Sequence, residues 1–169
     1  MKLVIKLLGG LALLVVLVGA GAYTYVRTHD GPIGATPGGP FRTGQLMASP
    51  DNWDFLQERE LMDFQTMSPS TTREVWVGVY QGRLFVICAG VNADRGLRSK
   101  RWPYYLENDD QVILRVDDTL YEQRMQRIQQ GPDVIPVLDV FGRKYRGQGV
   151  TDATDVDSGD TWMFEVLPR

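Results

Sequence analysis

Read from the N-terminus, the chain changes its hydrophobic pattern twice. Leu7–Val26 is an uncharged run of 20 residues preceded by Lys2 and Lys6. No polar face interrupts it, so a buried amphipathic core helix is not the pattern. At ~1.5 Å per residue it matches the roughly 30 Å hydrocarbon core of a bilayer. Asp30–Pro40 then holds seven Gly or Pro in eleven residues, which neither a helix nor a central strand accommodates. It reads as a linker setting a folded domain off from the membrane. Beyond it, short β-type apolar runs take over.

Ser49-Pro50-Asp51 carries a helix start, Ser49 as N-cap and Pro50 in the first helical position, for a short helix through about Glu58. Leu61–Met67 alternates weakly. Glu74–Tyr80 and Arg83–Ala89 are rich in Val, Trp, Phe and Ile, with Gln81-Gly82 between them as a tight hairpin turn. Val91–Lys100 is a polar loop, and Trp102–Leu106 a short helix with Pro103 near its start. Gln111–Val116 and Leu120–Arg127 form a second hairpin around Asp117-Asp118-Thr119. Asp133–Tyr145 is expected to be helical, Pro136 fitting only its first turn. Gly147–Asp160 reads as loop and Thr161–Leu167 as a closing strand. About six short strands with short helices predict an α+β domain, a small antiparallel barrel, because closure removes the exposed edges that so many strands would leave.

The apolar run has two readings. As a signal peptide it has a basic start, an apolar middle at Leu7–Val18 and an Ala20-Gly21-Ala22 cleavage signal. As a transmembrane anchor it continues through Tyr23 and Tyr25, suited to the lipid interface, to Arg27. The anchor is the expectation carried forward, contacting membrane lipid through Leu7–Val26. Lys2 and Lys6 favour an N-inside orientation with the domain periplasmic or extracytoplasmic, a bias that Arg27 and Arg42 on the far side weaken. The expected organisation is an anchor or signal over 1–27, a Gly/Pro-rich linker over 28–49 and one domain over 50–169.

At 169 residues there is room for one domain. The net charge is −3, and the first 27 residues hold three cations and no acid, so the domain is more acidic still. Nucleic acid is therefore not an expected partner, since phosphate backbones need clustered Lys and Arg. One cysteine, Cys88, permits no internal disulfide and reads as an inert packing residue. One histidine, His29, lies in the linker. That removes paired-histidine metal sites and Ser-His-Asp hydrolysis from the domain. Asp152, Asp155, Asp157 and Asp160 make an acidic loop faintly like a calcium loop. Its glycine is misplaced, and Val166 stands where an EF-hand has its bidentate acid; the loop reads as a solvated turn, and no metal is expected.

Thr72-Arg73-Glu74-Val75-Trp76-Val77, followed by a hairpin and Leu84-Phe85-Val86-Ile87, resembles the first hairpin of the flavin-binding split barrels. These comprise the pyridoxamine-phosphate-oxidase-like proteins and the deazaflavin-dependent nitroreductases. Arg98-Ser99-Lys100-Arg101, with Leu106 and Asn108, is similar to their Ser-Arg-Lys segment and the Leu and Asn after it. Trp102-Pro103-Tyr104-Tyr105-Leu106 is similar to an aromatic stretch of the nitroreductase branch, and Trp162–Arg169 to the last strand. The likeness covers residues 50–169 and departs from the pattern at Gly78, where the family has a lysine. It implies a small antiparallel split β-barrel with flanking short helices, preceded by one transmembrane helix.

The resemblance implies that Arg73, Arg98, Ser99 and Lys100 hold the phosphate of FMN or a deazaflavin. It also implies a homodimer and hydride or electron transfer at the ring. Convergent cations, with Arg binding bidentately, are what a phosphate requires. Trp102 and Tyr105 are the aromatic candidates for stacking on the ring. The competing expectation is a non-catalytic accessory subunit of a larger membrane complex, its barrel without cofactor, its Gly9-Gly10 and Gly19–Ala22 allowing close helix contact with partner subunits.

Overall fold

The computed structural model describes residues 2–92 and 100–169. A helix, α1 (Lys2–Thr28), leads into the remainder. From Lys6 to Thr28 its mean hydropathy is 2.1 and none of it is buried, so it is long and apolar enough to cross a membrane.

Among the described residues seven strands follow: β1 (Gln45–Met47), β2 (Leu61–Met67), β3 (Ser70–Tyr80), β4 (Arg83–Cys88), β5 (Gln111–Val116), β6 (Thr119–Ile128) and β7 (Trp162–Pro168). The sheet order is β1-β6-β5-β2-β3-β4-β7, and β6 also pairs with β7. That last pairing closes a six-stranded antiparallel barrel from β2 to β7, so the fold is the α+β split barrel expected. Strand β6 makes the closure by dividing its length. Gln111↔Arg124 through Val116↔Thr119 join it to β5, and Gln123↔Pro168 through Ile128↔Met163 join it to β7. Strand β1 adds a parallel pairing to the start of β6. The Gln81-Gly82 turn has positive φ at both positions, 52° and 74°, the geometry a two-residue hairpin needs.

Alternation along each strand fills the barrel. Val75, Val77 and Val79 from β3, Leu84 and Val86 from β4, Leu114 from β5 and Phe164 from β7 belong to one interior cluster. The opposite faces of β4 and β7 give Phe85, Ile87 and Met163 to a second cluster under α3 (Val134–Phe141). Arg83 fixes the start of α3 through an ion pair to Asp133 at 2.7 Å and two hydrogen bonds to Glu165 at 2.6 and 2.8 Å. Glu165 and then Asp133 hold its guanidinium above the ordinary arginine range. The remaining helices are α2 (Trp102–Tyr105) and α4 (Thr154–Asp157).

Three local expectations differ from what forms. The helix expected over 49–58 is a single 3-10 turn, Asp54–Leu56. The helix expected through Tyr145 changes to a π turn at Gly142–Arg146. The Gly/Pro-rich segment does not stand off as a spacer but lies on the barrel. Gly38 exchanges backbone hydrogen bonds with Thr72 at 3.1 and 3.2 Å, and the Thr72 hydroxyl donates to Gly39 O at 2.8 Å. Asp30 pairs with Arg115 at 3.1 Å and accepts from Arg42 N at 2.8 Å. A Cβ on Gly38 would lie 1.8 Å from Gly31 O, so its glycines are what let this strap double back on itself.

Within the interior, Gln123 is fully buried. Its Oε1 accepts a long hydrogen bond from Ser49 at 3.4 Å, while Nε2 has no partner; turning the amide over only exchanges the orphaned end. An unmet buried amide group costs about 1–3 kcal/mol. Gln123→Leu is therefore expected to raise the free energy of unfolding by about 1 kcal/mol, measured by urea denaturation. A loss of stability would show that the amide is satisfied.

Candidate functional site

Two adjoining cavities border β3 and β4: one of about 410 Å³ on their outer face beneath the end of α3, and one of about 770 Å³ that reaches from Trp76 round to the interior-facing Arg73, Val75 and Cys88. They share Trp76, Ile87, Arg146, Asp155 and Thr161, and so form one groove. Strand register decides what faces it. Residues 73, 75, 77 and 79 of β3 point into the barrel, which leaves Glu74 and Trp76 outside. Trp76 is 41% exposed, and its ring lies against Tyr145 at 4.7 Å and 10°.

The π turn makes that arrangement. Its wider winding carries Lys144 and Tyr145 back over β2 and β3. Lys144 Nζ donates to the carbonyls of Gln57 at 2.8 Å, Val77 at 3.1 Å and Arg59. The Tyr145 hydroxyl accepts from Val77 N–H at 3.0 Å and reaches the carbonyls of Val77 and Glu60. Burial first, with the Glu60 charge adding and the Val77 backbone contact opposing, pushes that phenol up to about 12. It is neutral across the physiological range and acts as a fixed pedestal for Trp76. Arg146, the last residue of the turn, projects into the groove.

The expected phosphate-binding residues divide. Arg98 and Ser99 lie outside the described residues. Arg73 faces the barrel interior at its open end and is 7% exposed. Burial lowers its guanidinium to about 10, opposed by the nearby Tyr105 and Cys88, so it is still cationic at neutral pH. Lys100 lies across the same end, with Nζ donating to Gly90 O at 3.3 Å. Both line the larger cavity.

The expected aromatic contacts are placed differently from Trp76. Trp102 lines the larger cavity from within the core: it is 4% exposed and packs on Phe64 at 5.0 Å and Phe164 at 5.4 Å. Tyr105 is half-buried against the interior cluster. The exposed ring in the groove is that of Trp76, which sequence reasoning did not single out. Its signal was present: a tryptophan at an outward position of a strand whose other face supplies the core. Cys88 is buried in the interior cluster, as expected, and also borders the larger cavity.

The larger cavity thus gathers Arg73, Lys100 and Arg146 together with Glu74, Asp155 and Asp160. Among the described residues its cations and carboxylates are equal in number.

No protein-family model matches the chain, and no curated protein matches it. Among solved structures it is similar to the conserved hypothetical protein Rv2991 from Mycobacterium tuberculosis, with 16% identity and a TM-score of 0.49, over 73% of this chain and 86% of that one. It is also similar to HutZ, the heme storage protein from Vibrio cholerae, with 14% identity and a TM-score of 0.46, over 69% and 86% of the two chains. An F420 reductase aligns with 16% identity and a TM-score of 0.39, over 72% of this chain and 96% of that one.

Proposed function

We propose that the chain is a membrane-anchored split-barrel protein whose groove holds a flavin-type cofactor, FMN or a deazaflavin, in an oxidoreductase-type role. The observation that carries this reading is the groove itself, which combines an exposed ring fixed from behind, Trp76, with a cationic end at Arg73 and Lys100. In this reading Lys100, Arg73, Arg98 and Ser99 take the phosphate, and Trp76 supports the ring. Trp102 and Tyr105 hold Arg73's surroundings in shape. The bound cofactor supplies hydride or electron transfer at its ring, and the protein supplies orientation and electrostatics. The α1 helix anchors the barrel, with the domain on the extracytoplasmic side, and a homodimer belongs to the same reading.

Titration of full-length protein in mild detergent with FMN, and separately with a deazaflavin, tests it. Quenching of cofactor fluorescence is expected to saturate. Lys100→Ala is expected to weaken binding about tenfold and Arg73→Ala as much or more, as befits charge-assisted phosphate contacts. Failure of both cofactors to bind would refute the reading. A second reading, an accessory subunit without cofactor, is supported by Glu74, Asp155 and Asp160, which oppose an anion in the same groove, and by the unburied apolar surface of α1. It is distinguished by co-purification of other membrane subunits with a colourless protein.

A further inference from the structure

The smaller cavity has a lining of its own kind. Its floor is apolar, made by Trp76, Ile87, Leu138 and Phe141. Its rim carries Asp152 and Asp155 against one cation, Arg146; the neighbouring Arg143 is engaged with Asp139 at 2.8 Å. A hydrogen bond from Thr154 N–H at 2.9 Å holds the Asp152 carboxyl below the usual carboxylate range, so it is ionised at neutral pH.

Thr161 stands where the two cavities meet and is 3% exposed. Its N–H donates to Asp155 O at 2.8 Å, which places it beside that residue. Among the described residues its hydroxyl makes no hydrogen bond, and its oxygen is not sealed off from the cavities it borders. A hydroxyl so placed is a hydrogen-bonding group offered to whatever enters.

We propose that this cavity binds a small organic cation, with a compact apolar or aromatic body and one protonated amine. The body rests on Ile87, Leu138 and Phe141. The ammonium has three donors and no acceptor, and it is met by acceptors only: the carboxylates of Asp155 and Asp152 and the hydroxyl of Thr161. An anion is disfavoured by two carboxylates against a single arginine, and a neutral molecule leaves those carboxylates uncompensated. Where the adjoining cavity holds a cofactor, this is the place of its substrate, and that assignment rests on the cofactor reading. The cation site itself rests on its own lining.

The test is a ligand-observed NMR titration of full-length protein in nonionic detergent with phenethylammonium, 2-phenylethanol and phenylacetate as probes. Phenethylammonium is expected to bind at least about tenfold more tightly than 2-phenylethanol, and phenylacetate more weakly than either. Asp152→Asn combined with Asp155→Asn is expected to remove about tenfold of that affinity, and Thr161→Val about threefold, without a change in Tm. Equal or tighter binding of the alcohol or the acid, no binding of the amine, or an unchanged affinity in the double Asn variant overturns the proposal. Should the double variant melt early, Thr161→Val alone decides. Lys100→Ala separates the two readings, because it is expected to weaken FMN binding and leave amine affinity unchanged.

Discussion

Arg115→Met is expected to destabilise the barrel by about 2–3 kcal/mol and to expose the 29–44 strap to protease. Arg115 is the hub of this corner. It pairs with Asp30 at 3.1 Å and Asp63 at 3.0 Å, and its guanidinium lies over the Phe41 ring at 4.2 Å. The three charged side chains are 16%, 27% and 23% exposed. Solvent screening is therefore incomplete, and removing the cation strands two carboxylates in a half-buried site. Methionine keeps the apolar stem, so the change isolates the charge.

Acid is expected to loosen the same strap. Burial raises the Asp30 carboxyl, but hydrogen bonds from Thr43 and from Arg42 N–H, with the charge of Arg115, outweigh it and leave the group below its ordinary value. A carboxyl lowered by folding contributes stability that is fully present above its unfolded value, about 4, and is lost as the pH falls through the folded one. Limited proteolysis should thus cut within 29–44 in Arg115→Met at neutral pH, and in the unmodified protein only below about pH 4. Equal resistance of the two proteins at neutral pH would mean that the strap is held by its backbone pairing with Thr72 alone.

Gly78→Ala is expected to cost about 1–3 kcal/mol and Gly78→Val more. A Cβ at this position would lie 2.6 Å from Cε2 and 2.9 Å from Cζ of Phe141, closer than a packed core permits. Phe141 also stacks with Tyr145 at 5.8 Å, and Tyr145 with Trp76. Displacing α3 therefore reaches the groove as well as the core. A lower Tm together with a changed near-UV spectrum of the aromatic stack is the expected pair of results. An alanine variant as stable as the original would show that α3 gives way without strain.

That glycine also shows what a sequence alone conveys. As a departure from the lysine of the family pattern, Gly78 marked only a missing cation. In the fold it is the gap that seats α3 on β3. Strand identities were legible because short runs of apolar, β-branched and aromatic residues stand between turn residues: the residues expected in β2, β4, β5 and β7 are found there within a residue or two. The hairpin turn at Gln81-Gly82 was legible for a local reason, the positive φ that glycine relieves.

The contacts of the strap were not legible, because Gly and Pro exclude regular structure without excluding contact. Its pairing with Thr72 and its clamp at Arg115 depend on residues 34 to 85 positions away. The groove was half legible. Arg73 and Lys100, two of the residues expected to hold a phosphate, line the same cavity. The π turn and the placement of Thr161 belong to tertiary structure that no local pattern encodes. Trp102 packs in the core while lining the larger cavity, and Tyr105 lies half-buried against the same cluster.

The central claim is that the groove holds a flavin-type cofactor, and an absorption spectrum of full-length protein tests it most directly. The protein is to be purified in mild detergent from its native host and measured before and after denaturation. A flavin-like band, released on denaturation in near-stoichiometric amount, is the predicted result. A colourless protein that also fails to take up added FMN or deazaflavin would contradict the claim and leave the barrel as an anchored interaction subunit.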